Sequence, residues 1–314
     1  MKKQSINRVI KNNLKSKIAY GESKHQAKIA QGVSFGASTY KIYSFTTYST
    51  YERECLNFGE WVKTEKGINS IKSVDDIEPY AKEYLQTKLD KGCSVWTVKT
   101  EKSALGMLLN KQIEIDIPKR DTHNITRSRK EPNCRYSRDG QYKDIFTLAL
   151  ATGGRECDIL KLTPDSFVYR DGKLYADIRQ SKGGRDRLSY VREEYAEEVL
   201  KIAEKAKLEG KKYIIDHVPV NLDVHALRRE YAYELYQDIQ KDDELRTFLL
   251  NHEPPRKEYR ISVNKDGIKV TKEIQRDTYK DREGNIFKRE DVYLISRMLG
   301  HNRIDTAIVH YLHK

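Results

Sequence analysis

The chain reads as a mainly α protein with one small antiparallel β-sheet, divided into two parts. Three observations predict this. Apolar residues recur at helical spacing through most of the 314 residues. β-prone runs gather in one stretch, 167–191, around an Asp171-Gly172 turn and a Gly183-Gly184 pair. A polar, basic segment at 118–133, PKRDTHNITRSRKEPN, carries a proline near each end and separates the two parts.

The elements follow in order. Ile6, Val9, Ile10, Leu14 and Ile18 fall at helical spacing inside a basic N-terminal stretch. Tyr51, Leu56, Phe58, Trp61 and Val62 form a broad apolar face over 47–63. A second helix is expected over 74–91, opened by Val74-Asp75-Asp76 and stopped by Gly92. A third runs from Ser94 to Asn110, with Val95, Val98, Ala104, Leu105, Met107 and Leu108 as its stripe. Past the linker, 141–152 is an apolar helix ending at Gly153-Gly154, and a short helix follows over 155–162. Phe167–Tyr169 and Lys173–Gln180 form a hairpin, and Arg187–Val191 adds a strand. Helices are expected over 192–209, 224–238, 290–299 and 305–312. Between 240 and 289 the chain is very polar, and Lys265-Asp266-Gly267 and Arg282-Glu283-Gly284 suggest one or two exposed hairpins.

Composition excludes several classes. With 38 % hydrophobic residues and 21 Tyr, 7 Phe and 2 Trp, the chain can build a core and is not a disordered protein. No apolar run approaches the roughly 18 residues of a membrane span. The N-terminus is basic but lacks the apolar core of a secretory signal. Cys55, Cys93, Cys134 and Cys157 show no C-x-x-C spacing, so neither a disulfide framework nor a zinc ribbon is expected. A cytoplasmic protein without a membrane partner is the resulting reading.

The net charge is +12, from 59 Lys+Arg against 47 Asp+Glu. It is unevenly placed: +7 in 1–40, +3 in 41–130 and only +2 in 131–314. Residues 1–40 are therefore read as a basic arm that neutralises phosphates, with Lys2, Lys3, Arg8, Lys11, Lys15 and Lys17 as contacts. A solvated tail is the alternative. Arg127, Arg129 and Lys130 of the linker are further candidates for nucleic-acid contact.

Four short patterns stand in the second half. ATGGRECDIL places Arg155 at a helix start just after a glycine pair, with Asp158 one turn on. QSKGGRDR places Lys182 in a tight β-turn, beside Arg185 and Arg187. HALRRE sets His225 and Arg228 one turn apart on a helix. LGHNRIDTAIVHYLH holds His301 and, ten residues later, Tyr311. Each alone has an ordinary explanation: a surface ion pair, a solubilising turn lysine, a chance H-x-x-R, an aromatic packed on the core.

Together and in this order they resemble the catalytic domain of tyrosine recombinases, the phage-type integrase family. The resemblance covers 135–314, and 41–120 is similar in kind to the family's helical, SAM-like core-binding domain. It implies a two-domain DNA clamp: arm 1–40, core-binding domain 41–120, linker 121–134 and catalytic domain 135–314. It also implies site-specific recombination through a 3′-phosphotyrosine, without cofactor, ATP or metal. Arg155 and Arg228 would clamp the scissile phosphate with planar guanidinium forks. Tyr311 would be the nucleophile, His225 its base or hydrogen-bonding partner, Lys182 the general acid, and His301 a further phosphate ligand.

Partners implied are double-stranded DNA, a homo-tetramer on paired sites, and accessory DNA-bending proteins. Arg185 and Arg187 are either phosphate contacts or hairpin-surface charges, and His310 a packing or phosphate-adjacent residue.

Two features depart from the family pattern. Seventy-two residues separate Arg228 from His301, so 240–289 is read as an insertion. Only Leu312, His313 and Lys314 follow Tyr311, which suggests that protomer contacts involve the tyrosine helix or the insertion. The charge in 1–40 favours an integrase of a mobile genetic element. A Xer-type resolvase, a type IB topoisomerase-like activity and a non-catalytic DNA-binding protein on the same fold are the rivals.

Overall fold

The computed structural model describes residues 2–32, 38–119, 133, 135–182, 184–257, 259–263, 269–281, 284–301 and 303–312, without the side chains of 185, 260, 261, 263 and 269. The chain divides into two units, Met1–Thr126 and Arg127–Lys314. Most of the expected linker, with Arg127, Arg129 and Lys130, lies outside the described residues.

The first unit is helical: α1 (Ile6–Lys15), α2 (Lys24–Ala30), α3 (Phe45–Lys66), α4 (Ala81–Asp90) and α5 (Val95–Leu109). Serines cap three of them, with Ser23, Ser44 and Ser94 each accepting a backbone N–H of the first turn. The expected helix over 74–91 begins as a 3₁₀ turn, Val74–Tyr80, because Pro79 sits in it and lacks an N–H to donate. A two-residue ladder joins β1 (Gln4–Ser5) to β2 (Ser70–Ile71). Glu101 is buried, but Tyr84 donates to it at 3.2 Å and Lys88 lies 3.1 Å away, so the charge is answered.

The reading of 1–40 as a separate arm changes here. Ile6, Ile10 and Leu14, the residues at helical spacing, are fully buried in the core with Phe58, Val62 and Leu105. The apolar stripe makes α1 part of the domain, while Lys2, Lys3, Arg8, Lys11 and Lys15 stay exposed around it. Lys17 departs further from its expected role as a phosphate contact. Its ammonium donates to the carbonyls of Met107 and, at 2.9 Å, Leu108, closing the end of α5. Burial pushes its pKa down to about 8. Deleting the N-terminal 20 residues is therefore expected to unfold the helical unit, and Ile10→Ala alone to cost about 2–5 kcal/mol in urea unfolding.

The second unit contains α6 (Lys143–Thr152), α7 (Glu156–Ile159), α8 (Glu193–Leu208), α9 (Val224–Lys241), α10 (Asp243–His252), α11 (Arg289–Met298) and α12 (Ile304–Ala307). Its sheet is antiparallel in the order β3 (Phe167–Arg170), β4 (Lys173–Ser181), β5 (Arg185–Tyr190). One apolar cluster gathers α6, α8 and the sheet; another gathers α9, α10 and α11 around Tyr231, Leu235 and Leu294. The polar stretch 240–289 holds two hairpins, β6 (Tyr259–Val263) with β7 (Lys269–Glu273), and β8 (Thr278–Lys280) with β9 (Ile286–Lys288). It also holds α10, which the sequence reading missed; only Leu245 and Leu249 of that helix are fully buried, too thin a stripe to stand out. The expected helix 305–312 splits into α12 and a π-helical turn, Ile308–Leu312. No helix among the described residues is long and apolar enough to cross a membrane.

Candidate active site

The second unit converges on the C-terminal end of α11. A helix end leaves carbonyls without intrahelical partners and carries the negative end of the helix dipole, so cations suit it. Arg187 Nε donates to Met298 O at 3.1 Å. Arg155 Nη2 reaches Leu299 O at 3.4 Å, and Arg228 Nη2 donates to the same carbonyl. Three guanidiniums thus meet where the chain turns toward His301.

Each is placed by local sequence. Gly153 ends α6 at φ +58°, and a Cβ there would fall 2.2 Å from the Tyr231 ring, so only glycine fits. That turn aims Gly153 O at Arg228 Nη1. Asp158 accepts the Arg155 backbone N–H at 3.0 Å, which fixes the start of α7. Arg155 Nη1 donates to Ser181 Oγ at 3.0 Å. Ser181 ends β4 just past an irregularity in the β4–β5 register, where Gln180 has φ +49°.

Arg187 is corrected. It is not a hairpin-surface charge, for its side chain is 8 % exposed. It donates to Asp158 at 2.9 Å and to Ser181 Oγ at 2.9 Å, bracing the groups that orient Arg155. Burial opposes ionisation of Asp158. The Arg187 guanidinium, the Arg155 N–H and Ser181 outweigh it and hold the carboxyl below the usual range. Asp158→Asn is expected to cost about 3–5 kcal/mol at neutral pH, since it strands a buried guanidinium. Because the native pKa is lowered, this contribution is complete above the free carboxylate value of about 3.9 and disappears as pH falls through the native value. Urea unfolding of wild type and variant at pH 7 and near pH 3 should therefore show the gap narrowing in acid.

Arg228 is fully buried. Its partners are two backbone carbonyls, Tyr311 OH at 3.3 Å from Nε, and His301 Nε2 at 3.4 Å from Nη2. No carboxylate pairs with it among the described residues. Burial pushes its pKa down to about 10, which still leaves it charged at neutral pH. His301 lies among the same cations. Burial and then Arg228, Arg155 and Arg187 push its pKa down to about 3, so the ring is neutral and can accept from Arg228. Gly300, at φ +66°, turns the chain between Leu299 and His301; a Cβ there would press on Arg187 Cδ at 2.9 Å.

Tyr311 sits on the π-helical turn and is 5 % exposed. The His225 ring packs edge-on to its ring at 5.3 Å between centroids, and the His301 ring lies at 5.5 Å. His225 itself is exposed, one turn before Arg228 on α9, and a cavity of about 270 Å³ opens between it and Arg155. Five sequence-chosen residues, Arg155, His225, Arg228, His301 and Tyr311, therefore come together. Lys182 stands apart, exposed in the β4–β5 turn, though its neighbour Ser181 is tied to the cluster. Sequence reasoning missed Ser181 and the carbonyls of Gly153 and Leu299, whose side chains give no spacing signal. The described residues contain no group of three His, Cys, Asp or Glu that could hold a metal ion.

No family profile and no curated protein matches the chain in sequence. Solved structures do match its fold. The XerH site-specific recombinase bound to palindromic difH substrate, in a post-cleavage complex, is 15 % identical with a TM-score of 0.50; the match covers 98 % of this chain and 91 % of that one. The XerH pre-cleavage complex with difH is 15 % identical over 97 % and 91 % of the two chains, with a TM-score of 0.47. The Tn1549 transposon integrase with circular intermediate DNA is 12 % identical over 99 % and 96 %, with a TM-score of 0.39.

Proposed function

We propose that this chain, which has the fold of the XerH tyrosine recombinase, is itself a site-specific DNA recombinase with Tyr311 as nucleophile. The observation that carries the reading is Arg228: a fully buried guanidinium with no acid partner among the described residues, bonded to the hydroxyl of a buried tyrosine. A buried cation without a counter-ion is unfavourable unless an anion completes it. A phosphodiester is such an anion, and its phosphorus is what a tyrosine hydroxyl attacks.

In this reading Tyr311 Oη bonds to phosphorus and the bond to the 5′-oxygen breaks. The phenolic proton passes to His225, and Lys182 gives a proton to the departing 5′-oxygen. A phenol of pKa about 10 needs such an acceptor at neutral pH. The product is a 3′-phosphotyrosine and a free 5′-hydroxyl. One phosphoester replaces another, so rejoining needs no ATP: a 5′-hydroxyl from a partner strand attacks the phosphotyrosine and releases Tyr311. Arg155 and Arg228 hold the non-bridging oxygens, where charge grows in the transition state. His301 adds a further hydrogen bond, and the phosphate's charge offsets the cations that keep this ring neutral.

The substrate proposed is double-stranded DNA, paired by a homo-tetramer with help from accessory DNA-bending proteins, in the cytoplasm at the nucleoid. Integration and excision of a mobile element is the role the +7 of residues 1–40 favours over chromosome or plasmid resolution. Lys2, Lys3, Arg8, Lys11 and Lys15, exposed about α1, are proposed as phosphate contacts, and so are Arg127, Arg129, Lys130 and Arg185.

Nicked duplexes enriched from a random pool by this protein provide the test. Incubation in EDTA is expected to yield a detergent-resistant protein–DNA adduct on the peptide holding Tyr311. No adduct with any enriched duplex, or cleavage only with magnesium, overturns the proposal.

A further inference from the structure

We infer that Arg256, Lys257, Arg276 and Lys288, with the start of α11, form an accessory groove for the phosphates of duplex DNA, separate from the catalytic centre. The inference rests on the reading of the protein as a DNA recombinase for the identity of the polyanion.

Charge is the first observation. Residues 254–289 hold 11 Lys/Arg against 6 acids, a surplus of +5, whereas the remainder of 131–314 holds 24 against 27, or −3. The near-neutrality of the catalytic half hides a basic insertion on an acidic body. A solvated loop has no need of such asymmetry, but a segment that meets a polyanion does.

Shape is the second. A cavity of about 400 Å³ lies between the insertion and α11, with Arg256, Lys257, Arg276 and Lys288 around it and Tyr293 in its wall. Arg256, Arg276 and Lys288 are exposed and have no acid partner among the described residues. Lys257 is 3.3 Å from Glu273. Two acids also line the cavity, Asp277 and Glu290, and Glu290 is held by Arg246 at 2.9 Å. An anion seated there would meet three cations that no described acid answers.

The position favours DNA over an acidic peptide. α11 joins the cavity to the centre: Arg289 begins it beside the cavity, and Leu299 follows its last turn among Arg155 and Arg228. Ten residues at about 1.5 Å each put roughly 15 Å between Arg289 and Leu299. A duplex carries a charge about every 1.7 Å of its axis, so one held at the centre has phosphates at that distance.

Full-length protein with Arg256→Glu, Arg276→Glu and Lys288→Glu tests this, beside the neutral set Arg256→Gln, Arg276→Gln, Lys288→Gln in case reversal disturbs folding. A control carries Lys201→Glu, Lys207→Glu and Lys211→Glu, the same charge change on and just past α8. Binding to an enriched duplex is measured by anisotropy across salt. The groove variants are expected to bind at least about tenfold more weakly, with a salt slope shallower by about 2–3, near 0.9 for each phosphate left unneutralised. They should still form the adduct at saturating protein. An unchanged slope, or an equal drop in the control, overturns the groove. A change in self-association with an unchanged slope overturns it in favour of a protein partner. If wild type binds no duplex, the recombinase reading itself fails.

Discussion

Tyr311→Phe is expected to abolish the covalent adduct while the protein stays folded. The substitution removes one oxygen and keeps the ring that packs between His225 and His301. Arg228 loses its acceptor at 3.3 Å but keeps Gly153 O and Leu299 O, so the stability change should stay near 1 kcal/mol. Chemistry has no such reserve. Without the hydroxyl the proposed nucleophile is gone, and adduct should fall to background even at saturating DNA. Binding should persist, because the guanidiniums remain. Strand-exchange and cleavage assays in EDTA read the first part, and anisotropy with the same duplex reads the second. An adduct that survives would move the nucleophile elsewhere.

Arg228→Lys is expected to be nearly as damaging, for a different reason. The guanidinium meets Gly153 O, Leu299 O and Tyr311 OH from one planar group. An ammonium is a point with a shorter reach and cannot serve all three. One stranded carbonyl costs about 1–3 kcal/mol, which thermal unfolding would register. The catalytic loss should be larger than that. Removing a donor aimed at developing charge lowers rates by about 10²–10³-fold, and the fork supplies two such donors. Single-turnover adduct formation, normalised to folded protein, separates the effects. If Arg228 only closed the end of α11, the normalised rate would be unchanged.

Much of the fold was legible because its signals are local. The apolar stripe of α3, the serine at the start of α5, the Asp171-Gly172 turn and the Gly153 stop after α6 each act within a few residues. Local signals also mislead where a partner distant in sequence decides. Ile6, Ile10 and Leu14 looked like part of a basic arm until Phe58 and Leu105 gave them a core. Lys17 counted as a free cation until the end of α5 took it. Arg187, beside Lys182 in a glycine-rich turn, read as a phosphate contact or a hairpin-surface charge; its carboxylate partner, Asp158, lies 29 residues away on another element.

The sequence by itself determined the kinds of residue available for chemistry and their order: arginine after a glycine pair, turn lysine, His225 with Arg228, then His301 and Tyr311. Side-chain type fixes what a group can donate, accept or attack, and that needs no fold. Only the tertiary structure decided which of them meet. The end of α11 gathers three guanidiniums, from the residue that caps α7, from β5 and from α9, because its carbonyls need donors, and the same gathering leaves Arg228 buried, charged and against Tyr311. Burial is the physical reason. It converts a scattered set of cations into one low-dielectric cluster, in which Asp158 answers Arg187 while no carboxylate among the described residues pairs with Arg228.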